Sequence, residues 1–363
     1  LRDLPELVSP KALRGVSARR VIEVLGLDSL RAVGLSSYET DSVYQNRSFL
    51  HYQDERRGLL ALFGEEPAPF DLLSVAPEDA DLAWDQQVDL AVLVDIVRGF
   101  GELGLGMTTE ELDQALEEDA FGLGMSVGAI LNRLRTTFGL ILSVDEARSL
   151  QIPGESFRFP YTDVLFRVDG LGDLGDALIR RAALDPFIAV EQTESHVVVR
   201  PAIQLPPPWN AYEPAIIKES ATGRMYLVSS PRFLARCLAA GGGLTQSPDF
   251  TRAFGRLPSE GNGLIYFSPR LTRAMHALLD RVIEANGSSV TASIVRFLLP
   301  DVGHPVGWVV QNRPDGLLVA SSSPSSHKST LLTIGYAALL PAAAVFGVSL
   351  LEADEPPPEL PGR

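Results

Sequence analysis

The chain has 363 residues, 46 acidic and 31 basic, for a formal net charge of −15. Hydrophobic residues make up 45% and charged ones 21%, which excludes a disordered chain, and the length predicts two or three domains' worth of buried interior. The acidic balance, with no Lys/Arg run longer than two, excludes a nucleic-acid partner held through clustered cations, and one cysteine, Cys237, excludes an internal disulfide or a multi-thiolate metal site.

In chain order, the pattern predicts a helix over residues 10–25 and then period-two stretches at 30–36, 44–52 and 58–63. Polar breaks at Glu39-Thr40-Asp41 and Asp54-Glu55-Arg56 separate them, so they read as an antiparallel meander. Thr108-Thr109-Glu110-Glu111 is a capping sequence for an acidic helix reaching Glu118, and Ser126 is placed to cap a helix from Val127 to Leu134. Three hairpins come next: Phe187 to Glu191 with Val197 to Ala202, Ala215 to Lys218 with Met225 to Val228, and Gly307 to Gln311 with Leu317 to Ser321. The last turns through Arg313-Pro314-Asp315-Gly316, where Pro fixes one φ and Gly accepts a positive one. Cys237 falls in a helical stretch, as a buried thiol.

A degenerate repeat emerges when the strands are aligned by their C-terminal ends. Val88-Asp89-Leu90, Val168-Asp169-Gly170-Leu171 and Phe267-Ser268-Pro269-Arg270-Leu271 each end a strand before an amphipathic helix, with an Asp or Ser suited to the free amides of a first turn. Their unequal spacing excludes a solenoid. The predicted fold is α+β: twisted antiparallel sheets with helices packed on one face, built from about three diverged modules, plus one C-terminal hydrophobic helix. Residues 1–150 hold the meander and first module, 151–256 the middle module with two hairpins and 257–327 the C-terminal module. Residues 328–351 form the hydrophobic helix and 352–363 a Pro-rich acidic tail.

Several stretches carry a resemblance: Leu25-Gly26-Leu27-Asp28-Ser29-Leu30, Val75-Ala76-Pro77-Glu78-Asp79-Ala80, Gly124-Met125-Ser126-Val127 through Phe138 to Asp145, and Leu257-Pro258 through Gly263 to Ser268. Together they resemble an uncharacterised group of bacterial extracytoplasmic proteins. The resemblance implies an envelope-exposed, repeat-built α+β protein and carries no catalytic residue across.

Motifs that suggest chemistry lack the context it needs. Gly170-Leu171-Gly172-Asp173-Leu174-Gly175 imitates a dinucleotide loop, but Asp169, Asp173 and Asp176 crowd the helix start where a pyrophosphate would sit. Gly99 to Gly104 matches the same expression at a helix exit. Gly124-Met125-Ser126-Val127-Gly128 fits a nucleophile elbow without a buried strand before it, and Ser126 is better placed as a helix cap. The five histidines never fall at i, i+4 spacing, and the clusters Glu78-Asp79-Asp81 and Glu117-Glu118-Asp119 lack a calcium-loop pattern, so they read as solvated acidic faces. No catalytic, cofactor-binding or metal-ligating residue is assigned, and no cofactor is expected.

Ser329 to Leu351 is free of charge for 23 residues. As a helix it would extend about 34 Å, enough for a hydrocarbon core of about 30 Å, although Pro341 near its middle leaves a kinked core helix as the other reading. The expected function is that of a non-catalytic, membrane-associated envelope protein that binds a protein or lipid or acts as a scaffold, with membrane contact through residues 329–351. The alternative is a serine hydrolase using Ser126 with His304 or His196 as base.

Overall fold

The computed structural model describes residues 17–53, 56–104, 107–119, 121–154, 158–286 and 303–328. The chain opens with a short helix α1 (Ala18–Val24), then strands β1 (Leu30–Thr40) and β2 (Val43–Tyr52), which pair antiparallel through a turn with Asp41 and Ser42 at positive φ. The third stretch of the predicted meander is not a strand. Gly58–Leu60 is a single 3-10 turn, started by Gly58 at φ 56°, where a Cβ would lie 2.3 Å from the Leu25 carbonyl oxygen. Only glycine fits that approach, and the turn folds Leu60 and Phe63 back onto Tyr52 and Leu317.

The short β3 (Ala68–Pro69) precedes β4 (Leu82–Asp89), which leads into three helices, α2 (Ala91–Glu102), α3 (Thr109–Glu117) and α4 (Val127–Arg133). Thr108 and Glu111 form the reciprocal capping box of α3. The long strands β5 (Arg135–Gln151) and β6 (Arg158–Val168) come after them, then α5 (Gly172–Ala182) and four strands, β7 (Ile188–Gln192), β8 (His196–Pro201), β9 (Ala215–Glu219) and β10 (Met225–Val228). Next come α6 (Pro231–Ala239), α7 (Pro248–Phe254), β11 (Glu260–Gly261), β12 (Gly263–Phe267), α8 (Pro269–Asn286), β13 (Val306–Arg313) and β14 (Gly316–Ser323). All three predicted hairpins form, as β7/β8, β9/β10 and β13/β14.

Helices α6, α7 and α8 share one start signal, Ser-Pro-x-Phe/Leu: Ser230-Pro231-Arg232-Phe233, Ser247-Pro248-Asp249-Phe250 and Ser268-Pro269-Arg270-Leu271. Each serine hydroxyl accepts the amide three residues on, at 3.2, 3.1 and 3.0 Å. The proline supplies a helical φ where no N–H is needed, and the fourth residue drops into the core. At the three repeated strand ends, Asp89 accepts the Ala91 amide and Ser268 caps α8, but Asp169 is turned to arginines instead.

One twelve-stranded antiparallel sheet, in the order β1-β2-β14-β13-β12-β4-β5-β6-β10-β9-β8-β7, joins strands from all three predicted modules; β3 and β11 form a separate pair. Its pairings between strands not consecutive in the chain are β14 with β2, β12 with β4 and β10 with β6. Directly opposed residues share a face, so the register sorts the side chains. One face carries Ala83, Ile141, Leu165, Tyr226, Val228, Leu264 and Tyr266, buried under Phe233, Leu234 and Cys237 of α6, Phe250 and Ala253 of α7, and Leu72. Burial pushes the Cys237 thiol up to about 12, which makes it an inert core group. Helices also lie on the second face, rather than on one face alone. There Leu271 and Met275 of α8 pack on Leu82, Leu142 and Phe267, and Ile130 of α4 and Leu174 of α5 pack on Val168, Met225 and Ile216. Among the described residues no helix is long and apolar enough to cross a membrane. The hydrophobic stretch 329–351 and the tail 352–363 lie outside the described residues.

Candidate functional site

Helices cover the two ends of the strands on the second face, and the middle is left open. Following the register across the sheet at that level gives one row: Asn46, Ser321, Trp308, Ile265, Trp84, Leu140, Phe166, Leu227, Ile216, Val199 and Val190. From Trp308 to Val190 every member is apolar. Nine neighbouring strands at about 4.8 Å spacing make this a stripe of roughly 38 Å. Its exposed members are Trp84, at 42%, and Leu227, at 49%, large values for apolar side chains at the centre of a sheet, while Val199 is buried and the other six are half-buried. Phe166 stacks on Phe138 at a centroid distance of 5.7 Å, and Trp308 meets Phe267 edge-on at 6.1 Å, so aromatic packing holds the row's side chains in place.

The head of the row is polar and closed by His327. Asn46 donates to Ser321 and Ser323 and accepts the His327 amide at 2.9 Å. The His327 ring lies between two hydroxyls, Nδ1 at 2.6 Å from Ser48 and Nε2 at 2.8 Å from Ser321. The chain therefore leaves β14 by crossing onto the open face, and Lys328 precedes the uncharged residues 329–351. Burial lowers the His327 pKa, so the neutral ring is favoured in the fold. An unfolded chain, titrating near about 6.5, binds more protons than the native state below that pH. Stability is therefore fully present at pH 7.5 and falls as pH drops through the folded pKa. A urea midpoint that declines more between pH 7.5 and pH 5 for the native sequence than for His327→Gln is the expected result; equal declines would contradict it.

Comparison of the chain with protein-family models, with curated proteins and with solved structures finds no match. The site stands on its geometry.

The motifs singled out in the sequence fall at separate places in the fold. The Ser126 hydroxyl accepts the Ala129 amide as the cap of α4, the use predicted for it. The proposed bases are placed differently: the His196 ring bonds the neighbouring Ser195 at 2.9 Å in the β7/β8 turn, and His304 lies in the loop before β13. At the glycine-rich start of α5, Asp173 and Asp176 engage Arg133 and Lys218. Among the described residues no group of three His, Cys, Asp or Glu side chains is arranged to hold a metal.

The apolar row is hidden from sequence reasoning, because its members come from nine strands brought together by non-local pairing. A local signal does exist. Strand β6 contains Val164-Leu165-Phe166 and β9 Ile216-Ile217, runs of apolar residues that mark strands contacted on both faces.

Proposed function

We propose that this chain is a non-catalytic, membrane-associated envelope protein, held at the bilayer through residues 329–351, and that the open apolar row is its lipid-contact surface. The observation that carries this reading is the coincidence of two features at one place. His327 is fixed at the head of the row, and residues 329–351 beyond it in the sequence lack charge for long enough to cross a hydrocarbon core. A bilayer engaged there lies beside Trp308 and Trp84, the two indoles of the row. Removing the exposed parts of such side chains from water is favourable by about 25 cal/mol per Å². The chain carries a net charge of −15, so neutral lipids suit it better than anionic ones, and the difference shrinks as salt is raised.

Fractionating cells that express the intact chain tests the proposal. Retention in carbonate-washed membranes, with the sheet digested by protease added from the outer side, is the expected result. Recovery of the chain in the soluble fraction would overturn it. Co-flotation of the purified chain with phosphatidylcholine vesicles, weaker when phosphatidylglycerol replaces half the lipid, is the companion measurement.

A further inference from the structure

On the opposite face of the sheet, at the polar end of the core, three residues stand in register: Asp85 of β4, Gly139 of β5 and Arg167 of β6. The central glycine makes the arrangement possible. A Cβ at Gly139 would come within 2.6 Å of Leu72 Cδ1 and 3.4 Å of Arg167 Nε, so its absence lets two side chains one strand apart reach toward each other. Arg167 is 1% exposed, and its Nη2 faces Asp169 at 3.3 Å and Asp85 at 3.6 Å, yet none of its three nitrogens makes a hydrogen bond. Asp85 is equally buried; its Oδ2 accepts the Leu72 amide at 3.0 Å while its Oδ1 has no donor. Asp169, in turn, accepts from Arg224 at 2.8 Å.

These groups border a cavity of about 80 Å³ whose walls also include Gln87, Thr137 and Asn262. Gln87, Thr137 and Asp169 also line a polar cleft of about 390 Å³ with Arg135 and Asp89, so the cavity is its inner end. Buried polar atoms are almost always paired, and leaving a buried guanidinium without acceptors is costly. Here a donor and an acceptor are both left over, side by side. Arg167 and Arg224 stand against Asp85, Asp169 and Asp71, which also lines the cavity, so an added anion would be repelled. A hydroxyl matches both needs, since it accepts from Arg167 and donates to Asp85 Oδ1 at once.

We infer that this cavity binds the hydroxylated end of a neutral polyol or sugar, with the rest of the molecule in the adjoining cleft toward Gln87 and Arg135. The site lies across the sheet from the apolar row and does not depend on the membrane reading. Titration of the full-length protein with D-glucose, D-ribose and glycerol, followed by saturation-transfer NMR and calorimetry, tests it, with acetate and inorganic phosphate as charged controls. Saturable binding of at least one of the three neutral compounds is the expected result. Thr137→Leu, which fills the cavity mouth without touching the charges, weakens that binding at least tenfold, and so does Asp85→Asn, which keeps the shape and removes the charged acceptor. Should Asp85→Asn fail to fold, Thr137→Leu alone decides. Binding of acetate or phosphate only, no saturation by any neutral compound up to 50-fold above typical millimolar sugar affinities, or unchanged affinity in Thr137→Leu would each overturn the inference.

Discussion

Asp81→Ala lowers the stability of the fold by about 3–4 kcal/mol. Asp81, read from the sequence as part of a solvated acidic face with Glu78 and Asp79, is instead completely buried, because its carboxylate joins three elements. Oδ2 accepts the Val144 amide of β5 at 2.7 Å, while Arg270 of α8 donates from Nε at 2.8 Å and from Nη2 at 2.6 Å. The Ser268 hydroxyl, which caps the same helix, donates to Oδ1. Alanine leaves the Val144 amide and the Ser268 hydroxyl without their acceptor, at about 1–3 kcal/mol each, whereas Arg270, about a third exposed, relaxes into water at smaller cost. Asp81→Asn keeps the shape and loses about half as much. Urea denaturation measures both, and a loss below about 1 kcal/mol for Asp81→Ala would contradict the assignment of Asp81 as the tie between sheet and helix.

The double substitution Trp84→Glu, Leu227→Glu carries the second large effect, on contact with lipid. Both side chains are about half exposed in the middle of the row, so replacing them costs the fold about 2–4 kcal/mol through the halves that are buried, and urea denaturation first shows that the variant is folded under the assay conditions. Each forfeits about 1 kcal/mol of apolar contact with acyl chains, and each carboxylate adds a desolvation cost against hydrocarbon. Photocrosslinking from a diazirine placed in the acyl chain of phosphatidylcholine, with the intact chain in vesicles, is expected to fall at least tenfold at the sheet. Retention in the vesicles through residues 329–351 should be unchanged. Undiminished crosslinking would show that lipid reaches the protein elsewhere, and crosslinks that pass instead to a co-purifying protein would assign the row to a protein partner.

Local signals in the sequence have local consequences. Pro314-Asp315-Gly316 and Ala221-Thr222-Gly223 mark hairpins because turn chemistry acts over a few residues, and Thr108 and Ser126 cap the helices their hydroxyls predict. The stretch 58–63 has a strand-like alternation, yet the approach of Gly58 to Leu25 turns it into a single 3-10 turn, a tertiary constraint that no period records. The Ser-Pro-x-Phe/Leu starts of α6, α7 and α8 are legible as a set only once the three helices are seen, since the Ser268 instance alone stands beside an obvious strand end. Both candidate sites depend on order in the sheet. Asp85 and Arg167 are 82 positions apart in the chain and become neighbours only because β4, β5 and β6 align a glycine between them. The row from Trp308 to Val190 draws on segments from residue 84 to residue 308. Hydrophobic patterning tells that these strands are covered on both faces; it does not tell where the cover stops.

Tryptophan fluorescence in vesicles with bromine-substituted acyl chains tests the central claim most directly. The chain has three tryptophans, two of them, Trp84 and Trp308, in the row, and Trp209 in a short turn before β9. With the intact protein and with Trp209→Phe, the expected result is a blue-shifted emission that brominated lipid quenches, with Trp84→Phe removing a large share of the quenchable signal. Emission from Trp84 and Trp308 that bromine leaves untouched, in protein firmly held by the vesicles, would contradict a sheet whose open face lies against lipid.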